Sequence, residues 1–403
     1  MRISPAAVLP LFFTTGVGLL ATDLYLPSIP ALPNVLGGTI ADAQFTLAIF
    51  FVTFATCQLL YGALAECYGN FRIVLTASAI FVAATILAAL SPTIEFLTVA
   101  RALQGVGAAA ATAIVPAMIR SSYDERTSIR MLSWLGICES VIPALAPLLG
   151  ALILHLAGWR MNFWLLAAVG IAALLMLLRN RAIYAGARAG DSYQVSSLRS
   201  LIPSYAAVLS NRSFLGYALG YSTAYGALLT FVGAAPFLLQ SVYGQAPASF
   251  GFMQFVMVLA FMGGSLLAGR SVDAVGTDKT ILFGLLMLVT SAALLPIVAL
   301  GLIPNNAISM TLAMLPSQFG LGLRFGVAMS AAIGCVPRHQ PSAAAMTSFL
   351  CFVFAAIGNL AFAMLIDFNL LGVAVCCVGF SLVSALAYLI TPSPANSGSA
   401  NPT

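Results

Sequence analysis

Stretches of about 20 apolar residues recur from one end of this chain to the other. A helix of roughly that length crosses the hydrocarbon core of a bilayer. Backbone groups in lipid must satisfy one another, which helices do within a single segment. The chain is therefore expected to be an all-α polytopic membrane protein. Of its 403 residues, 61% are hydrophobic and 7% charged, where soluble domains carry about 25% charge. That leaves no room for a sizeable soluble domain. The net charge of +5 forms no patch suited to nucleic acid.

Twelve spans follow from hydropathy and from breaks at polar, Gly and Pro residues. They are 6–32, 43–66, 73–91, 93–119, 130–155, 159–178, 213–240, 248–270, 280–301, 307–336, 342–366 and 369–391. The first begins like a signal peptide, yet it is too long and contains Asp23, so a retained helix is expected. Most Lys and Arg residues fall at one side if the N-terminus is cytoplasmic, and the positive-inside rule then places both termini there. Seven cysteines lie within spans or near that face, and no disulfide framework is implied.

The Arg-bearing polar stretch 179–212 divides six spans from six. It is expected to link an N-terminal bundle, 1–178, to a C-terminal bundle, 213–391, with a disordered tail at 392–403. SLRSLIPSYAAVL within it has the pattern of a short amphipathic helix on the inner leaflet. The halves echo each other. GALAECYGNFR (62–72) follows span two and GRSVDAVGTDK (269–279) follows span eight. Gly62, Glu66, Gly69 and Arg72 correspond to Gly269, Asp273, Gly276 and Lys279, each pair 207 positions apart. The glycines would permit tight turns and close helix approach, and the acids would bridge to neighbouring helices. The alternative is two unrelated tight loops, each ending in a base. Repeats of this kind mark transporter folds with a central site.

Charges within the spans are few. Asp23 lies about 15 Å from the outer end of span one, and Arg101 about 12 Å from the outer end of span four, at about 1.5 Å per residue. A charge at that depth costs roughly 2.5–3.5 kcal/mol on insertion scales. Asp23 and Arg101 are expected to communicate, directly or through water. A carboxyl held between a nearby cation and an apolar setting can take up and release a proton; a permanent ion pair is the alternative. Glu139, in SWLGICESVIP of span five, rivals Asp23 as the proton carrier or could bind a cationic substrate. Arg324 in span ten could contact Glu139 or bind an anionic group. Either residue could equally be a polar contact between helices.

Tyr217, Tyr221 and Tyr225 recur every four residues along one face of span seven. With Met253, Gln254 and Met257 of span eight, and Gln58 and Tyr61 of span two, they are candidate substrate walls; simple helix packing is the alternative. The glycines near Arg324 follow no strand and form no nucleotide loop, and no G-x-x-x-x-G-K-[ST] is present. With two histidines and no acidic metal cluster, the chain offers little to a membrane-embedded enzyme.

RALQGVGAAA (101–110) is similar to the R-x-x-Q-G-x-G-A motif of the major facilitator superfamily, through Arg101, Gln104, Gly105 and Gly107. The 62–72 turn resembles that family's loop motif. PALAPLLG (143–150), with Pro143, Pro147 and Gly150, resembles the proline–glycine motif of drug/proton antiporters. TDLYLPSIP, GWRMNF and NRSF…PFLLQSVYG together resemble the Bcr/CflA branch. Glu66, Cys67 and Asn70 depart from the loop pattern, as do Glu139, Arg324 and Gly326 from positions usually apolar or proline. The resemblance implies two six-helix bundles in a bacterial inner membrane. It also implies proton-driven export of amphipathic small molecules by a monomer, with no cofactor beyond the proton gradient. A proton-coupled importer of one polar or zwitterionic metabolite is the runner-up.

Overall fold

The computed structural model describes residues 9–123, 125–181, 184 and 201–391. These hold fourteen α-helices, numbered here in chain order. The first twenty-eight of these residues form α1 (Leu9–Asp23), a 3-10 segment (Leu26–Ala31) and the short α2 (Leu32–Leu36). Then come α3 (Ile40–Tyr68), α4 (Asn70–Ala89), α5 (Ile94–Ser122), α6 (Glu125–Ala157) and α7 (Trp159–Arg179). After the short α8 (Leu201–Leu209) follow α9 (Arg212–Phe237), α10 (Pro247–Val275) and α11 (Thr277–Ala299). The last three are α12 (Ala307–Gly334), α13 (Gln340–Met364) and α14 (Leu370–Ile390).

Each expected span thus has its helix, the first being α1 and α2 on either side of a break. Eleven are long and apolar enough to cross a membrane. α12 forms as a full helix but falls short of that apolarity, because it carries Ser317, Gln318 and Arg324.

Local chemistry sets the ends. Thr39 and Asp42 form a reciprocal capping box at α3, with Thr39 N–H donating to Asp42 Oδ2 at 2.7 Å. Thr93 caps α5 and Asn306 caps α12 through side-chain oxygens. Gly69 joins α3 to α4 and Gly276 joins α10 to α11 as single-residue joints, with φ of 91° and 87°. The two loop motifs therefore share one backbone geometry, open to glycine and strained for other residues. Gly62 and Gly269 behave differently from expectation. Nothing lies within 4 Å of a side chain built at either, so neither serves a close helix approach.

The chain groups into two compact units, Met1–Leu201 with Val232–Phe255, and Ile202–Phe231 with Val256–Thr403. Within the first, segment 232–255 is tied in by Gln44 Nε2 donating to the Gly233 carbonyl and Gln240 Nε2 to the Pro27 carbonyl, both at 3.0 Å. Here α5 is the central element. A side chain at Gly105 would collide with Phe50 and Thr53 of α3, and one at Gly107 with the Phe81 backbone of α4. Small residues let membrane helices meet backbone to backbone where no hydrophobic force draws them together. In the second unit, Gly284 of α11 and Gly320 of α12 make the same kind of contact. α8 does more than lie on a surface: Val208 is fully buried in a cluster with Phe214, Ala332 and Met346.

Replacing Gly276 by Ala should cost about 1–3 kcal/mol for the strained backbone, lowering the thermal midpoint in detergent. Gly269→Ala, in open space on a helix, should leave the midpoint equal or slightly higher. Equal midpoints for the two variants would refute this account of the turn.

Candidate functional site

The break after α1 is written in TDLYLPSIP. Pro27, Pro30 and Pro33 lack amide donors and cannot continue a regular helix. Asp23 is consequently the last residue of α1, 8% exposed, with no hydrogen bond or ion pair among the described residues. Two residues on, the buried Tyr25 hydroxyl bonds Thr46 of α3. Asn162 of α7, also buried, donates to Ser28 Oγ at 3.1 Å and to the Gly150 carbonyl at 3.2 Å. Gly150 of α6 lies against the Leu24 carbonyl, where a side chain would not fit. The proline–glycine stretch of α6 therefore docks on the broken segment, and α6 runs unbroken through Pro143 and Pro147.

Arg101 of α5 is fully buried beside this break. Its Nη1 donates to the Ala21 carbonyl and to Gln104 Oε1, both at 2.9 Å. Gln104 Nε2 in turn donates to Thr85 Oγ1 of α4 at 2.8 Å. The guanidinium is flanked by two rings, 4.6 Å from the Tyr25 centroid and 4.4 Å from that of Phe50. Ring faces attract a desolvated cation by about 2 kcal/mol or more. Arg101 thus engages the turn that carries Asp23 through a backbone carbonyl and a ring, and its carboxylate contact is absent among the described residues. The sequence pointed to both charges. It missed Tyr25, Phe50, Thr85 and Asn162, whose only signal was an aromatic two residues past the acid and polar groups inside apolar helices.

Other candidates take varied places. Gln58 Nε2 donates to Thr112 Oγ1 at 3.1 Å, and Tyr61 to the Val106 carbonyl at 2.9 Å, so both clamp α3 to α5. The Gln58 Oε1 is buried without a partner among the described residues. Glu139 is half-buried on α6. Gln254 and Met257 are buried on α10, and the Gln254 Oε1 has no partner there. Tyr221 stacks on Tyr225 at 6.4 Å and meets Phe325 edge-on at 5.3 Å; Tyr225 meets Phe352 at 5.9 Å. The tyrosine stripe is thus part of an aromatic cluster inside the second unit. Arg324, 2% exposed, donates to the Gly220 carbonyl at 3.0 Å and reaches Ser384 Oγ at 3.4 Å.

Of the two loop acids, Asp273 differs from expectation. The Glu66 side chain lies outside the described residues, while Arg72, Asp273 and Lys279 are exposed. Among the described residues, the acid that reaches another helix is Asp278, whose Oδ1 accepts from the Tyr217 hydroxyl at 3.1 Å. It sits five residues on, in the first turn of α11, where Tyr217 of α9 comes within reach.

The model of the Major Facilitator Superfamily matches residues 11–361. This chain belongs to that superfamily. It is a membrane-embedded secondary transporter, and not an enzyme. It is 28% identical to an uncharacterized MFS-type transporter, YdgK, of Bacillus subtilis, over 86% of this chain and 92% of that one. It is likewise 28% identical to the multidrug resistance protein MdtL of Escherichia fergusonii, over 77% of this chain and 76% of the relative. A crystal structure of the nucleoside transporter NupG superposes with a TM-score of 0.74 at 13% identity, covering 96% of this chain and all of that one, which shows the shared fold.

Arg101→Lys keeps the charge of this transporter but loses the planar group between the rings. The expected loss is about 2 kcal/mol, read as a lower unfolding midpoint in detergent. A midpoint unchanged from the parent protein would show that the rings contribute nothing.

Proposed function

We propose that this transporter exports amphipathic small molecules in exchange for protons, by alternating access across a bacterial inner membrane, with both termini cytoplasmic. The observation that carries the reading is Asp23: a buried carboxyl at a helix break, with no hydrogen-bond or ionic partner among the described residues. An acid whose charge no neighbour holds can change protonation without dismantling the packing around it. The name of the MdtL relatives supports drug export as the direction and class of transport.

In this reading Asp23 accepts a proton when its site faces the proton-rich side and releases it when access reverses. Arg101 is a positioning residue. It holds the Ala21 carbonyl and the Tyr25 ring, and so fixes the turn from which Asp23 projects. Asn162 and Gly150 hold the other side of the same segment. Glu139, half-buried on α6, is the second acid available to the cargo or the proton.

Purified protein in proteoliposomes provides the test, with ethidium as cargo and an imposed pH gradient. Asp23→Asn should lose gradient-driven accumulation at least tenfold while keeping ethidium-for-ethidium exchange. Accumulation at the parent rate would move proton coupling elsewhere. Glu139→Gln should depress transport of ethidium more than that of a neutral dye of similar size. Equal effects on both would assign Glu139 to structure.

A further inference from the structure

The short helix α8 is packed on one side only. Val208 is fully buried in a cluster with Phe214 of α9, Ala332 of α12, Val336 just beyond α12, and Ala343 and Met346 of α13. Another face is bare. Ile202 is 73% exposed and Leu209 42%, and Ala206 is exposed between them. Positions 202, 206 and 209 follow helical spacing, so they form one apolar stripe. A helix with one such stripe against the protein and another turned outward suits the boundary between headgroups and acyl chains.

The same packing brings two arginines to the edge of α8. Asn211 Nδ2 donates to the Cys335 carbonyl at 3.0 Å, which pins the joint between α8 and α9 to the end of α12. Arg212 is the next residue, and Arg338 lies between Val336 and Ala343, which both pack with Val208. Both arginines are exposed, and neither forms an ion pair among the described residues. Beside Arg338, α13 begins at Gln340 with no side-chain cap and no acid in its first turn, so the positive end of that helix is unopposed. Acids are also scarce in the sequence here: none occurs at 192–272 or at 279–366. Asp278 accepts from Tyr217, whose ring packs against the same cluster.

We propose that α8 and the adjoining ends of α9 and α13 bind an anionic phospholipid. Its phosphate lies between Arg212 and Arg338, and its acyl chains cover Ile202, Ala206 and Leu209. The apolar stripe alone would accept any lipid. The two guanidiniums select a negative headgroup, each basic residue at a membrane surface adding severalfold to the attraction. The site belongs to the second unit and is independent of proton coupling at Asp23.

The experiment uses full-length protein in liposomes, with the native cysteines replaced by serine and a fluorophore on Ile202→Cys. Brominated phosphatidylglycerol or brominated phosphatidylcholine is added at equal low mole fraction, and quenching reports which lipid touches α8. Phosphatidylglycerol should be preferred on the order of tenfold. A fluorophore on Ile357→Cys, exposed in the middle of α13, should be quenched alike by the two lipids. Arg212→Gln combined with Arg338→Gln alters exposed side chains only, and should bring the ratio at position 202 down to that at 357. Equal quenching by the two lipids at position 202 would overturn the proposal, and so would a preference that survives the double substitution. Loss of the preference on adding inorganic phosphate at constant ionic strength would overturn it as well, because the occupant would then be a small anion and not a lipid.

Discussion

The guanidinium of Arg101 organises the first unit. Hydrocarbon offers a charge nothing, so every favourable contact has to come from the protein itself. One donor goes to the Ala21 carbonyl, one to Gln104, and both flat faces meet rings. Those partners belong to α1, α3, α5 and the segment after α1, so the contacts of one side chain tie several helices together, while its Nε and Nη2 are buried with no hydrogen-bond partner among the described residues. The broken segment at Pro27 and Pro30 is tolerable in a membrane for the same reason: its polar groups meet Asn162, Gln240 and Thr46 instead of lipid.

Close packing of backbones makes this possible. Gly105 and Gly107 bring α5 against α3 and α4, which places Arg101, on the same helix, within reach of Phe50. Gly284 and Gly320 do the equivalent in the second unit, and the aliphatic part of Arg324 lies over Gly284. The motif glycines and the motif arginine are thus one device. The small residues set the separation at which the long one can bond across helices.

Much of this was legible in the residues. Apolar run length gave the helices, since within a single segment only a helix satisfies the backbone in lipid. The span expected over 6–32 is broken after Asp23 at Pro27 and Pro30, which the hydropathy reading did not anticipate, whereas the matched glycines at 69 and 276 became matched joints. What composition could not show was partner choice. Arg101 was expected to find Asp23, but ring faces and a carbonyl took its place, because aromatic residues look like ordinary filler in a chain this apolar. Gly62 and Gly269 sit in open space although their spacing resembled a packing motif. Asp278, not Asp273, bonds a neighbouring helix, since the first turn of α11 faces Tyr217. α12 formed despite its polar residues, with Arg324 reaching the Gly220 carbonyl and the Ser384 hydroxyl on neighbouring helices. The tyrosine stripe was visible as a stripe, but its burial against Phe325 and Phe352 depends on helices more than a hundred residues away.

The one-residue joints at Gly69 and Gly276 leave no slack in the chain. Between α11 and α12 the connection is of another kind: residues 300–306 are all exposed and run free of regular structure. For anyone wishing to attach a fluorophore-binding tag or an epitope, that stretch is where extra sequence can be spliced in, whereas the same insertion beside either glycine would prise apart helices that have nowhere to go.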